Sequence, residues 1–106
     1  MIMASLRVVV PNNRRNEILR TLRPLLGPTR VRQGCLDCRL YQDKEDENTY
    51  VFIQAWESQA ALEKHIGSEE YRKILAVMDL AVQEPEVEFH TIARTAGMEF
   101  VRRVRR

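Results

Sequence analysis

The segment Tyr50-Val51-Phe52-Ile53-Gln54-Ala55-Trp56 is apolar in both of its alternating phases. As a strand it sends successive side chains to opposite faces, with Tyr50, Phe52 and Trp56 on one and Val51, Ile53 and Ala55 on the other. A strand with one face in water alternates apolar with polar residues instead. Both faces of this one therefore need cover. A chain of 106 residues has room for one domain and one modest core. Helices can shield one face of a sheet built on this strand, and no residues remain to shield the other. An exposed apolar patch of that size marks an association surface. The simplest occupant is a second copy, because two-fold pairing is the commonest closed symmetry. A homodimer through the open sheet face is the expected assembly.

The rest of the chain supplies the sheet's neighbours. Ile2 to Val10 is rich in β-branched residues and stops at Pro11, as a first strand does. Asn12 and Asn13 are candidate caps for a helix whose stripe is Ile18, Leu19, Leu22, Leu25 and Leu26. Pro24 should end or kink it near Leu22, and Gly27-Pro28 should close the segment. Cys35 to Gln42 reads as a second strand and Thr49 to Glu57 as a third, joined by the charged connection Asp43 to Asn48. Ser58 can cap a short helix that Gly67 ends in the left-handed conformation. Ser68 then caps another, with Glu69 and Glu70 in its first turn and Tyr71, Ile74, Leu75, Met78 and Val82 as its buried stripe. Pro85 stops it, and Glu86 to Arg94 is the fourth strand.

The order β-α-β-β-α-β defines an α+β, ferredoxin-like fold: a four-stranded antiparallel sheet with its helices on one face. Residues 1–96 form the domain and residues 97–106 a basic tail. That tail carries a net charge of +3 from Arg102, Arg103, Arg105 and Arg106 against Glu99, so the other 96 residues sum to −1. Four arginines without a recognition motif assign neither nucleic acid nor membrane as a partner. The tail reads as wrapping a partner subunit or lacking fixed structure. No apolar run approaches the ~20 residues a membrane span needs. The N-terminus has neither the basic nor the long apolar stretch of a signal peptide, so the cytoplasm is the expected compartment.

Cys35 and Cys38 form a CxxC within a strand rather than at a helix N-terminus, where a reactive thiolate is stabilised. Three positions apart on a regular strand they point to opposite faces, and no second cysteine pair completes a zinc site. Both read as structural. The glycines, at 27, 34, 67 and 97, are too scattered for a dinucleotide fingerprint, and the two histidines have no metal-ligand spacing.

Gly34-Cys35 opening the second strand, Trp56 closing the third, Ala61-Leu62 with His65 on the next helix, and Ser68 with Tyr71 beyond it occur in a characteristic order. With the acidic connection at 43–48 and the Phe89-His90 strand, this segment resembles the antibiotic biosynthesis monooxygenase family over residues 2–94. The resemblance implies a dimeric α+β barrel and cofactor-independent chemistry, in which an electron-rich phenol or quinol is deprotonated and its anion reduces dioxygen. Two positions depart from the family pattern. Gln54 stands where a glutamate is usual, two residues before the tryptophan, and Glu70 where a second histidine is often found. An amide cannot serve as a base.

His65 is the candidate base, since an imidazole exchanges protons near neutral pH; its bland alternative is a hydrogen-bonded histidine at the edge of the core. Trp56 would wall a pocket and hold a polar group with its indole N–H, or be a core tryptophan. Gln54, on the same strand face, can orient a substrate oxygen or satisfy a neighbouring backbone group. Phe52, Tyr50 and Tyr71 can line the cavity or simply pack. Arg39, sharing a face with Asp37, can pair across the dimer or meet an anionic ligand. Two readings follow: a monooxygenase acting on a small aromatic without metal or cofactor, or a non-catalytic dimeric module that binds a small apolar ligand or serves association.

Overall fold

The computed structural model describes residues 1–106. The chain runs β1 (Ile2–Val9), α1 (Arg15–Leu22), α2 (Leu26–Arg30), β2 (Cys35–Gln42), β3 (Thr49–Trp56), α3 (Gln59–Ile66), α4 (Glu69–Asp79), β4 (Glu86–Thr91) and α5 (Met98–Val104). The strands form one antiparallel sheet in the order β2-β3-β1-β4, the ferredoxin-like topology. Strand β3 lies inside it, between β1 and β2, where β-branched and aromatic side chains fit the pleat best.

Register sorts the two faces. Ile2, Ala4, Leu6 and Val8 stand opposite Trp56, Gln54, Phe52 and Tyr50, and all eight are buried. Ile18 and Leu22 of α1, Leu25, Leu62 and His65 of α3, and Ile74 and Val77 of α4 are buried with them. The other face presents Met3, Ser5, Arg7 and Val9 of β1 beside Val51, Ile53 and Ala55 of β3. Around this apolar centre lie polar pairs: Arg39 with Asp37 at 3.0 Å, Arg7 with Glu86 at 3.7 Å, and His90 beside Glu88 at 3.8 Å. All three pairs are solvent-exposed, so they add little to stability. No helix is long and apolar enough to cross a membrane.

Local chemistry departs from the sequence expectations at several points. A β-bulge between Cys35 and Asp37 inserts one residue, so Cys35 stands opposite Trp56 and Cys38 opposite Gln54. The extra residue rephases the strand, and both thiols face the helices rather than opposite sides. Both remain free, and burial pushes the Cys38 thiol up to about 12. Pro24 does end α1, but Gly27 and Pro28 lie inside α2 rather than closing the segment. They fall in its first turn, where the backbone N–H groups lack partners anyway and proline is tolerated. Asn12 and Asn13 make no capping bond; Asn12 instead accepts from Arg15 at 3.1 Å.

Ser58 caps α3 as expected, accepting from the Ala61 N–H at 3.2 Å. Gly67 is right-handed, with φ −79°, because the chain turns directly into α4. Ser68 does not cap α4; its hydroxyl donates back to the His65 carbonyl at 2.6 Å. Leu75 and Val82 are exposed, and the buried stripe of α4 runs through Ile74 and Val77. A left-handed backbone occurs at Gly34, with φ 87°, where the chain enters β2. The tail is not structureless: residues Met98–Val104 are helical, and the Glu99 carboxylate accepts from the Gly97 N–H at 2.9 Å.

Candidate functional site

The end of β3 and the joint between α3 and α4 build a small aromatic-polar cluster. Strand alternation puts Gln54 and Trp56 side by side on the helix-facing surface, and the indole N–H donates to Gln54 Oε1 at 2.9 Å. That bond fixes the carboxamide's orientation. Its NH2 group is left as the donor available to the space beyond. The His65 ring stacks on Trp56, with centroids 4.8 Å apart and planes 28° apart. Tyr71, six positions further on, meets the same imidazole edge-on at 5.5 Å and 87°. Such stacked and T-shaped contacts favour rigid placement of rings.

His65 is completely buried, and neither ring nitrogen has a hydrogen-bond partner. The bland expectation of a hydrogen-bonded histidine at the edge of the core is therefore not met. Burial pulls its pKa below the ordinary histidine value, the Arg32 guanidinium does the same, and Glu70 pulls partly the other way. The imidazole is neutral at neutral pH. Arg32 and Glu70 lie 3.7 Å apart, and Glu70 Oε2 is itself buried without a partner. Glu70 thus occupies, with a carboxylate, the place where the family resemblance leads one to look for a second histidine.

An apolar pocket opens on the helix side of the sheet, with Leu6, Phe52, Gln54, Leu62, Tyr71 and Phe89 among its walls. Its volume is about 20 Å³, close to the space of a single water molecule. Leu62 and Phe89 also line a separate outer groove of about 270 Å³ between α3 and β4, whose walls include Ile2 and Ile66. Burial raises the Tyr71 phenol above its ordinary value, so it stays protonated across the neutral range.

Of the residues singled out in the sequence, Gln54, Phe52 and Tyr71 meet at this pocket. Trp56 and His65 stand directly behind it, in contact with Gln54 and Tyr71 but fully buried. The Trp56 N–H is already spent on Gln54, so it cannot hold a substrate group as expected. Tyr50 and Arg39 are elsewhere. Tyr50 lies four residues up the strand, where Gln42 donates to its hydroxyl at 3.4 Å. Arg39 stands opposite Ile53 on the far face of the sheet, paired with Asp37. Sequence reasoning gave no lining role to Leu62, Ile74, Val87 or Phe89. The signal for the last two was the alternation Val87, Phe89, Thr91 along β4, which selects the helix-facing side. No group of three or more His, Cys, Asp or Glu side chains is arranged to hold a metal ion.

A four-stranded ferredoxin-like sheet, with a helix-side pocket bordered by a locked Gln-Trp pair, defines the class of protein. Residues 1–77 match the antibiotic biosynthesis monooxygenase family, and the chain belongs to that family. The crystal structure of an antibiotic biosynthesis monooxygenase superposes with a TM-score of 0.80 at 24% identity, covering 89% of this chain and 100% of that one. The Mycobacterium tuberculosis protein Rv0793 gives a TM-score of 0.81 at 23% identity, covering 91% and 98%. At such identities the structural likeness speaks for the fold alone. An uncharacterised protein of Synechocystis is 24% identical over 89 residues, 83% of this chain, and the match spans 60% of that protein's length.

Proposed function

We propose that this protein is a monooxygenase for a small, electron-rich aromatic of the phenol or quinol type, with the substrate itself supplying the electrons. The observation that carries the reading is the Gln54–Trp56 pair: a buried amide, oriented by an indole, beside an apolar pocket in a chain of a monooxygenase family. The aromatic ring lies in the enlarged inner pocket against Leu6, Phe52 and Phe89, and its oxygen reaches the Gln54 NH2. A fixed donor aimed at a developing anion stabilises it most where water is scarce. The phenolate passes an electron to dioxygen, the two radicals combine at the activated carbon, and the adduct loses water. In sum a CH2 group and O2 give C=O and H2O, so one oxygen atom stays in the product and the other leaves with both hydrogens.

Gln54 cannot accept the substrate proton, and His65 is the neutral imidazole nearest the pocket. Tyr71 stands between them as a wall. The substrate displaces Tyr71 and Phe89 to enlarge a cavity of about 20 Å³, and that movement brings the imidazole within reach. Orientation and proton transfer then do the catalytic work. The open sheet face, centred on Val51 and Ile53, pairs with a second copy.

Two observations favour a second reading, a non-catalytic module binding a small apolar ligand: the candidate base is sealed and the inner cavity is small. Oxygen uptake with a panel of anthrones and quinols separates the two. The enzyme reading expects substrate-dependent consumption that falls in His65→Ala and in Gln54→Leu. Ligand binding without uptake leaves only the binding module, and uptake indifferent to His65→Ala removes the imidazole from the reaction.

A further inference from the structure

We propose that α5 is an exchanged element: in a pair of chains, each α5 seats its apolar side on the partner's groove between α3 and β4 and roofs the candidate site. This goes beyond the dimer through the open sheet face, because it uses the opposite side of the sheet and completes the groove with residues from the other copy.

The helix itself asks for a partner. Met98, Phe100, Val101 and Val104 are between 41% and 66% exposed. At about 100° per residue these four span roughly 160° of the helix surface, with Arg102 and Arg103 on the remainder. A helix with such a stripe gains its stability from whatever covers the stripe. Its start is nonetheless well defined, by the Glu99 carboxylate on the Gly97 N–H and by Arg103 lying over the Phe100 ring at 5.4 Å.

The chain's own body does not provide the cover. Beyond β4 the Ile92 N–H still donates to the Met1 carbonyl at 2.8 Å, the chain bends at Ala93, and no regular structure follows before α5. The radius of gyration is 15.5 Å, against about 13 Å for a compact domain of this length. The helix is carried outward rather than folded back, so the surface it fits belongs to another molecule.

The groove offers a matching surface. Its floor of Ile2, Leu62, Ile66 and Phe89 is apolar, its α3 rim carries Glu63 and Gln59, and it is about 270 Å³ in volume. The rim's one carboxylate, Glu63, can meet an arginine of residues 97–106, which together sum to +3. A second copy is the occupant that brings this helix to this groove. Reciprocal exchange closes the pair, because one two-fold operation fills both grooves and leaves no free helix to recruit a third chain. Seated there, Phe100 and its neighbours cover Leu62 and Phe89, the two side chains that the groove shares with the inner pocket beside Gln54.

The test uses the full chain, mixed one to one as isotope-labelled and unlabelled protein. Filtered NOE spectra should show contacts between copies from Phe100 and Val104 to the Ile66 and Leu62 methyl groups. Contacts between copies at Val51 and Ile53 report the sheet pairing separately. Helix-to-groove contacts found only within one chain, or absent altogether, overturn the exchange whatever the sheet reports. A double variant, Val101→Glu with Val104→Glu, alters side chains that are exposed in the single chain and so spares its fold. It should weaken dimerisation by about tenfold or more and speed amide exchange along β4 near Phe89. An unchanged dissociation constant overturns the proposal too.

Discussion

Replacing Gly34 with alanine should be among the most damaging single-methyl changes this chain can suffer. Gly34 has φ 87°, and a Cβ built there collides with the Ala61 Cβ of α3 and touches Glu57 Cγ at 3.4 Å. The left-handed backbone costs a residue with a side chain about 1–2 kcal/mol, and forcing a methyl into occupied space costs about 1–3 kcal/mol more. The backbone cannot easily move away, since the Gly34 carbonyl accepts from the Glu57 N–H at 2.8 Å. The expected loss is therefore about 2–5 kcal/mol, a large part of the ~5–15 kcal/mol typical of a domain. Ala61→Gly alone should cost about 1 kcal/mol, the helix preference of alanine over glycine. Combined, the two remove the collision and leave the backbone cost, so the double variant should lose about 2–3 kcal/mol, less than the sum. Urea unfolding followed by the fluorescence of Trp56, the single and fully buried tryptophan, measures all three. Losses that add to within about 0.5 kcal/mol would refute the contact as the cause.

Acid should weaken the fold through His65. Its folded pKa lies below the ordinary value, whereas the unfolded chain titrates near 6.5. Above that pH neither state holds the proton; below it the unfolded state binds more, and stability falls by up to about 1.4 kcal/mol per pH unit until the folded pKa is passed. Urea midpoints between pH 7 and 5 should slope this way in the wild type and less in His65→Phe, and equal slopes would remove His65 as the cause. Gln54→Leu strips the Trp56 N–H of its acceptor and should cost about 1–3 kcal/mol, while Gln54→Glu keeps an acceptor and should cost less in chemical denaturation at pH 7; the reverse order would argue against that bond. Ile53→Glu at the centre of the open face should weaken self-association measured by sedimentation, and an unchanged dissociation constant places the sheet pairing elsewhere.

The layout was legible where patterns are local. The period-two run at 50–56, the helical stripe of α1 and the Ser58 cap each follow from a few neighbouring residues, and the structure repeats them. What escaped needed a second element to be in place. The bulge before Asp37 is invisible to alternation, so the cysteines were assigned to opposite faces. Leu75 was assigned to the core because it sits beside Ile74 in a helical pattern; only the placement of α4 on the sheet shows that Val77 faces inward instead. Gln54, Trp56, His65 and Tyr71 were singled out by residue type and family resemblance. Their layering, with pocket residues in front and the imidazole sealed behind, depends on how α3 meets α4. Arg39 and Tyr50 were included with the site on residue type, and strand phase and distance along β3 separate them from it.

The hydrogen bond from the Ser68 hydroxyl to the His65 carbonyl makes α3 and α4 two arms of one elbow. His65 stands on one arm and Tyr71 on the other, with their rings touching across the bend. A guest molecule that pushes Tyr71 outward must pry at this elbow, and the strain arrives at the imidazole without any direct touch. The histidine ring resonances thus become a built-in gauge of whether anything has moved in next door.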